Sequence, residues 1–483
     1  MSKNLKEFIP GISVTLLSIF SSCVLLYIIA NTALLTAKII WLCIALFAIV
    51  AVAVFILTLS IKRKVRFIIG CVLAALIIVL QIVGGYFLAT GAATLNNITK
   101  PEVEHAEISV YVRKKDKAVT ISDTKDYTFG IMEILDRGAT DIAIGKINGE
   151  VGTTIKTTPY TDVYTLIDAL INTNDIGAII INKSFLDLLD ESEETKASLS
   201  KIRELYSVTI ENNQSTGLQA PPPADDTFTV YISGIDCYGH VTKCSRSDVN
   251  IIATVNIKTG QILLVSTPRD YYVPLSISDG IPDKLTHAGI YGINVSKETL
   301  EMLYGIEIDY YFRVNFDGFK DIIDALGGVT VNSFYDFTAL QTYPIHKGPN
   351  EMNGEMALYF SRERYTLPGG DGSRGQHQME VIKGVVNKLL SSALIKNYSA
   401  VLKSVEGSFQ TSVPYETIAD LVKNPHSLNN DWKLTSYSVG GTGASRRPYS
   451  LSMNAYVLIP DESTVAHAKF LMEQVEDGQI PTP

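Results

Sequence analysis

Cysteine is scarce in this chain, with five in 483 residues. Cys23, Cys43 and Cys71 fall in apolar runs, where a thiol behaves as a small hydrophobe. Only Cys237 and Cys244 lie outside them, near enough in sequence to close a short disulfide loop in an oxidising compartment or to stay as free thiols. No cysteine or histidine spacing suits a zinc site. Charge is missing altogether from residues 8–37, 39–61 and 67–99. Each run exceeds the roughly 20 apolar residues that a bilayer core requires. Three long runs argue against a cleaved signal peptide and against a soluble helical bundle. Positive charge outside the anchor is also in deficit. The chain has 41 basic and 50 acidic residues; residues 1–66 hold seven and one, so the remainder carries 34 against 49, a net charge of −15. A surface this acidic is poorly suited to coating nucleic acid, and no nucleic-acid partner is expected.

What is present organises itself along the chain. Lys3 and Lys6 precede the first apolar run, and Lys62, Arg63, Lys64 and Arg66 separate the second from the third. The positive-inside rule then places the N-terminus in the cytoplasm and everything beyond about residue 95 outside. Residues 1–98 are thus three transmembrane helices, in a multi-pass protein of the cell membrane. Residues 99–210 read as a small extracellular α/β accessory domain: a strand over 108–113, a helix over 161–171, a buried strand over 177–181 and helical spacing over 185–206. No catalytic constellation stands out in it. Residues 211–226, ENNQSTGLQAPPPADD, form a proline-rich linker that cannot bury enough surface to fold.

Residues 227–483 form the second exterior domain. Strands over 228–234, 249–256 and 261–266 end or begin beside Asp236, Asp248 and Arg269. Ligand sites in open α/β sheets gather where loops leave strand ends. Two neighbouring carboxylates repel unless a cation lies between them, and oxygen ligands beside phosphate suit Mg2+ or Mn2+. Each aspartate alone reads equally well as a turn or cap residue. Further along, helices over 296–304 and 319–326 alternate with strands over 310–315 and 329–331, which predicts a largely parallel core. Lys284 offers a point charge for phosphate, whereas His287 reads as a structural histidine. Residues 359–378, YFSRERYTLPGGDGSRGQHQ, pack Arg362, Arg364 and Arg374 around Asp371 and Gln378. The planar guanidinium fork matches phosphate oxygens. Leu367-Pro368-Gly369-Gly370 interrupts any helix, so the three arginines are expected around a loop.

These motifs together resemble the LytR-CpsA-Psr family of cell-wall ligases. They are Gly234-Ile235-Asp236, Arg246-Ser247-Asp248, Pro268-Arg269-Asp270, Asp283-Lys284-Leu285-Thr286-His287-Ala288, Asn315-Phe316-Asp317-Gly318-Phe319, Asp324-Ala325-Leu326-Gly327-Gly328-Val329, Arg362-Glu363-Arg364 and the stretch from Asp371 through Arg374 to Gln378. Three membrane runs plus an accessory domain make the chain most similar to the streptococcal capsule-biosynthesis branch of that family. The resemblance implies an α/β/α sandwich with a hydrophobic pocket for a polyprenyl chain. It implies a phosphotransferase that moves a glycopolymer from undecaprenyl diphosphate to peptidoglycan, with a phosphodiester formed at a muramic acid hydroxyl. It implies Mg2+, or Mn2+, held by Asp236 and Asp248. Arg246, Arg269, Arg362, Arg364, Arg374 and Gln378 match the diphosphate-binding set. Asp371 resembles an acidic residue near the attacking hydroxyl, and Asp371 or Asp270 would take its proton, with Arg269 and Arg364 stabilising the charge that develops. Residual hydrolysis of the diphosphate is expected when water replaces the sugar. One departure is Gln376, where many members carry a further arginine; His377 stands beside it as a substitute contact. Partners would include other capsule-assembly proteins. Two other classes stay open: a membrane-anchored regulator of capsule expression, which lacks a sizeable cytoplasmic basic region here, and a non-catalytic receptor for lipid-linked glycan.

Overall fold

In this computed structural model the chain is described apart from residues 1–4, 33–34, 60, 100–102, 192–196, 212–220, 224, 238–239, 364–365, 369–370, 390–404, 425, 427–430 and 483, and apart from the side chains of Leu5, Lys6, Ile98, Asp187, Asp190, Glu191, Asp371 and Val422. The linker at 211–226 therefore falls largely outside the described residues. The chain divides into two compact units: residues 1–99, 389–406 and 414–431 form one, and residues 100–388, 407–413 and 432–483 the other.

The first unit holds three helices long and apolar enough to cross a membrane: α1 (Leu5–Thr32), α2 (Ala37–Thr58) and α3 (Lys64–Ile98). Most of their large apolar side chains face outward, as a lipid environment requires. Small and polar residues stand among those buried between the helices, including Ser18, Ser22, Thr58, Ala74 and Gln81 beside Ile29 and Val54. Gly11 of α1 lets the backbone of Thr58 approach so closely that any Cβ would meet the Thr58 carbonyl at 2.0 Å. Gln81 of α3 donates to Ser22 of α1 at 2.8 Å. Close small-residue contacts and inter-helix hydrogen bonds are how helices associate where burial of apolar surface gives no driving force.

The second unit contains two sheets. The accessory sheet has the order β3-β2-β4-β1-β5, from β1 (His105–Arg113), β2 (Thr128–Met132), β3 (Lys156–Tyr160), β4 (Ala178–Asn182) and β5 (Ile202–Glu211). Helices α4 (Arg137–Val151) and α5 (Val163–Asp168) make the crossovers. The helical spacing read over 185–206 holds at its start, in a nine-residue 3-10 helix over Lys183–Glu191, and is overturned at its end, where β5 pairs antiparallel with β1 from Ile202 to Glu211. Cross-strand pairing with an already formed neighbour outweighs a marginal helical pattern.

The larger sheet has the order β16-β11-β6-β7-β8-β17, with β6 (Thr227–Ile235), β7 (Ser247–Asn256), β8 (Gln261–Ser266), β11 (Tyr310–Val314), β16 (Phe409–Thr411) and β17 (Lys433–Ser438). It is mixed, not largely parallel: β6, β7 and β8 form an antiparallel meander, and only β11–β6 and β8–β17 run parallel. The connection from β7 to β8 is only Ile257–Gly260, with Gly260 at φ 64. A parallel crossover needs a dozen residues or more, so this length forces a hairpin. Helices α6 (Ile293–Tyr304), α7 (Phe316–Ala325), α8 (Gly354–Arg362), α9 (Asp371–Leu389) and α11 (Glu462–Glu476) surround it, whereas α10 (Tyr415–Lys423) belongs to the first unit. Tyr231, Ile252, Leu263 and Val265 on one face pack against Leu300 and Tyr304 of α6 and Leu471 and Val475 of α11. Ile251, Ala253 and Leu264 on the other face are equally buried, which is why these strands read as continuous apolar runs. Small ladders complete the domain: β9 (Tyr272–Pro274) with β10 (Pro282–Lys284), β12 (Val329–Ser333) with β15 (Gly348–Met352), β13 (Phe337–Ala339) with β14 (Tyr343–Ile345), and β18 (Gly441–Arg446) with β19 (Ala455–Pro460).

Candidate functional site

The site forms at one end of the meander. Gly234 faces Val249 across β6 and β7, where a Cβ would meet the valine side chain at 2.7 Å, so glycine allows the strands to close up at their end. The register shifts just beyond, and Ile235 pairs with Ser247. Asp236 lies just past the end of β6, and Asp248 is the bulged residue between Ser247 and Val249 at the start of β7, so both sit at the same end of the strand pair. The Asp236 N–H donates to the Arg246 carbonyl at 3.1 Å, and the Arg246 guanidinium returns to Asp236 Oδ2 at 2.7 Å. Asp248 is held from two sides: Arg269 Nη1 donates to Oδ2 at 2.6 Å and Thr286 Oγ1 donates to Oδ1 at 3.1 Å. Lys284, nearly fully buried, reaches Asp270 Oδ1 at 3.5 Å. Carboxylates and cations thus alternate, and each half-buried charge meets an opposite one before any ligand arrives.

The fourth wall comes from α9. Gly372, Arg374, Gly375 and Gln378 line a small cavity together with Asp248, residues 266–269, Ser438 and Val439. Gly375 brings the helix against β8, since a Cβ there would lie 3.1 Å from Ser266 Oγ. The cavity therefore sees the N-terminal turn of a 19-residue helix, whose positive dipole end favours an anion. Arg374 is buried at 7% exposure, and Gln378 is positioned by its bond to the Ser361 carbonyl at 3.3 Å.

Asp248, Arg269, Arg374 and Gln378 line one cavity, with Asp236–Arg246 and Asp270–Lys284 as neighbouring pairs in sequence. The expectation of three arginines around a loop is corrected in part. Arg362 closes α8 and Arg374 sits on the first turn of α9, because the helix breakers lie between them and not around them. Arg362 is exposed, with its guanidinium carbon 4.2 Å above the Phe316 ring. Arg364 lies outside the described residues. Asp371 begins α9, but its side chain also lies outside them. His377 does not serve as a phosphate cation. It is fully buried, stacked on Phe360 at 4.0 Å between ring centroids, and burial pushes its pKa down to about 4. His287 is structural as expected: it is buried, with Nδ1 2.7 Å from Asp283. Cys237 and Cys244 form no disulfide.

Reading the sequence missed the hydroxyl lining. Thr286 holds Asp248, and Ser266 and Ser438 are register partners at the ends of β8 and β17. Thr286 stands inside a conspicuous motif, but Ser438 gives no local signal because a parallel partner 172 residues away brings it there.

Two carboxylates and a cavity lined by Arg269 and Arg374 thus sit at a strand end of an α/β domain, on a chain that also carries three helices long and apolar enough to cross a membrane. Comparison with known proteins gives it a family. The LytR_cpsA_psr family matches residues 187–469, more than half the chain, and the protein belongs to that family. Among curated proteins, the chain is 34% identical over 222 residues to the polyisoprenyl-teichoic acid–peptidoglycan teichoic acid transferase TagU of Bacillus subtilis, covering 45% of this chain and 71% of that protein. It is 34% identical over 221 residues to the TagU of Enterococcus faecalis, again covering 45% and 71%. Among solved structures, B. subtilis TagV is 25% identical, covering 54% of this chain and all of that one, with a TM-score of 0.45.

Proposed function

We propose that this protein is a phosphotransferase that moves capsular polysaccharide, or a similar anionic glycopolymer, from undecaprenyl diphosphate to a muramic acid hydroxyl of peptidoglycan. The two TagU relatives are named as polyisoprenyl-linked teichoic acid transferases acting on peptidoglycan. The observation that carries the reading is the cavity where Asp248 and Arg269 meet Arg374, Gln378 and the start of α9. A diphosphate concentrates negative charge, and that constellation offers guanidiniums and a helix N-terminus to it.

In this reading the acceptor hydroxyl attacks the phosphorus that bears the glycan. A new P–O bond forms to the sugar, the bond to the bridging oxygen breaks, and undecaprenyl phosphate leaves. The hydroxyl proton passes to Asp371 or Asp270; Lys284 keeps Asp270 in place for that role. Arg269 and Arg374 stabilise charge on the transferring and leaving phosphates, the main contribution in phosphoryl transfer. Among the described residues no three His, Cys, Asp or Glu side chains converge as a metal cage. Asp236 and Asp248 would hold Mg2+, because two carboxylates are what this ion takes from a protein when phosphates and water complete its shell. Bound there, it would neutralise charge on the diphosphate. The catalytic domain stands on the outer face of a membrane crossed three times.

Arg269→Ala and Arg374→Ala, compared with wild type in cells, test the proposal. Wall-bound polysaccharide is expected to fall about tenfold and appear in the medium, the scale of losing charged contacts to a phosphate. Unchanged wall attachment at normal protein abundance, in a strain without paralogues, would sink it.

A further inference from the structure

Among the described residues the accessory domain contributes none to the cavity lining, yet it touches the loop that carries part of the site. Residues 237–245 join Asp236 to Arg246, and three consecutive carbonyls in that loop accept hydrogen bonds. The Thr242 carbonyl accepts from the His105 N–H at 3.1 Å. The Lys243 carbonyl accepts from Arg313 Nη2 at 2.6 Å. The Cys244 carbonyl accepts from Ser184 Oγ at 2.5 Å. His105 begins β1 and Ser184 follows β4, so two of the three donors come from the accessory domain.

The third donor is governed by it. Arg313, on β11, is 1% exposed and pairs with Glu104, which is fully buried one residue before β1. Glu104 also accepts from the Ile293 N–H at the start of α6 at 3.2 Å. Without Glu104 the guanidinium would be a buried charge lacking its counter-ion, and its grip on the Lys243 carbonyl would fail with it. The apolar core runs across the same joint: Phe185, Leu188 and Ile181 of the accessory side cluster with Ile290, Leu451 and Ala455 of the larger domain.

We infer that the accessory domain is a positioning element for the diphosphate site, clamping residues 242–244 so that Arg246 is held on Asp236. This rests on the transferase reading above. Ser184 and Glu104 are positioning residues: they act on the substrate only through the loop. Loss of one clamp bond loosens Arg246 equally in the ground and transition states, so it weakens donor binding without slowing the chemical step.

The test uses full-length protein in lipid nanodiscs, with polyprenyl diphosphate-linked glycopolymer as donor and peptidoglycan as acceptor. Ser184→Ala removes one bond from a polar pair and leaves the Glu104–Arg313 pair intact. Hydrogen exchange of the 240–246 amides is expected to accelerate while that of β8 does not. The donor KM is expected to rise about three- to tenfold, the size of one lost hydrogen bond, with kcat within about twofold. Ser184→Thr, which keeps the hydroxyl, restores both. A KM equal to wild type in Ser184→Ala, or a fall in kcat alone, overturns the positioning role while the transferase reading stands. Wild-type protein that neither binds nor turns over the donor overturns both. Unchanged exchange in the loop removes the clamp itself.

Discussion

Arg313 shows how much one residue can depend on another far along the chain. Burial pushes its pKa down to about 9, still charged at neutral pH, and Glu104 supplies the opposite charge. Glu104→Ala is expected to destabilise the protein by about 3–5 kcal/mol, because it strands a buried cation. Glu104→Leu combined with Arg313→Met recovers most of that loss in thermal melts, since neither charge then needs a partner. Asp136 offers a pH test. Burial raises its pKa to about 6, while the bond from Asn182 at 2.6 Å opposes the rise. A carboxyl whose folded pKa exceeds its unfolded value near 3.8 favours folding when protonated, so this contribution is present below about pH 4 and is lost as pH rises through 6. Asp136→Asn keeps a side chain tolerant of the left-handed backbone at φ 53 and should raise Tm by a few degrees at pH 7 but not at pH 4. His377→Phe, which keeps the stack on Phe360, should leave donor affinity within about twofold, because a buried neutral ring offers phosphate nothing.

At the scale of elements, the strands that build the site were legible because their apolar runs end in charged motifs. The strand over residues 261–266 came from local pattern alone, whereas the helix that starts at Asp371 was read as part of a loop, because the breakers at 367–370 end one helix and leave room for the next. The parallel core was misjudged because alternating helices and strands imply crossovers only where the connections are long. The four residues between β7 and β8 were the clue. β5 was misread since its identity comes from β1, about 90 residues earlier, and not from its own spacing. The Asn315-Phe316-Asp317-Gly318-Phe319 motif now has a physical reason for its glycine. A Cβ at Gly318, in α7, would meet the Ser408 carbonyl oxygen at 1.7 Å, and backbone cannot step aside as a flexible side chain can. Gly318→Ala should cost about 1–3 kcal/mol by overpacking, read as a lower denaturation midpoint; an unchanged midpoint would mean the helix shifts freely there.

Across the whole molecule, charge and hydropathy were the most readable features, since membrane spans are set by composition over long windows. The proposed orientation is checked by reporter fusions. Alkaline phosphatase joined after residue 211 should be active, and joined within residues 61–63 inactive; the reverse pattern would place the large domains in the cytoplasm. What composition could not disclose was the union of accessory and larger domain, because Glu104 sits in an acidic stretch that looks solvated until residue 313 is folded against it. That pair has a consequence for anyone recombining these proteins. A chimera that borrows its accessory domain from another chain inherits an orphaned charge unless positions 104 and 313 travel together. The two domains are therefore one module for exchange, and a workable crossover point lies before residue 104, at the end of the third membrane helix.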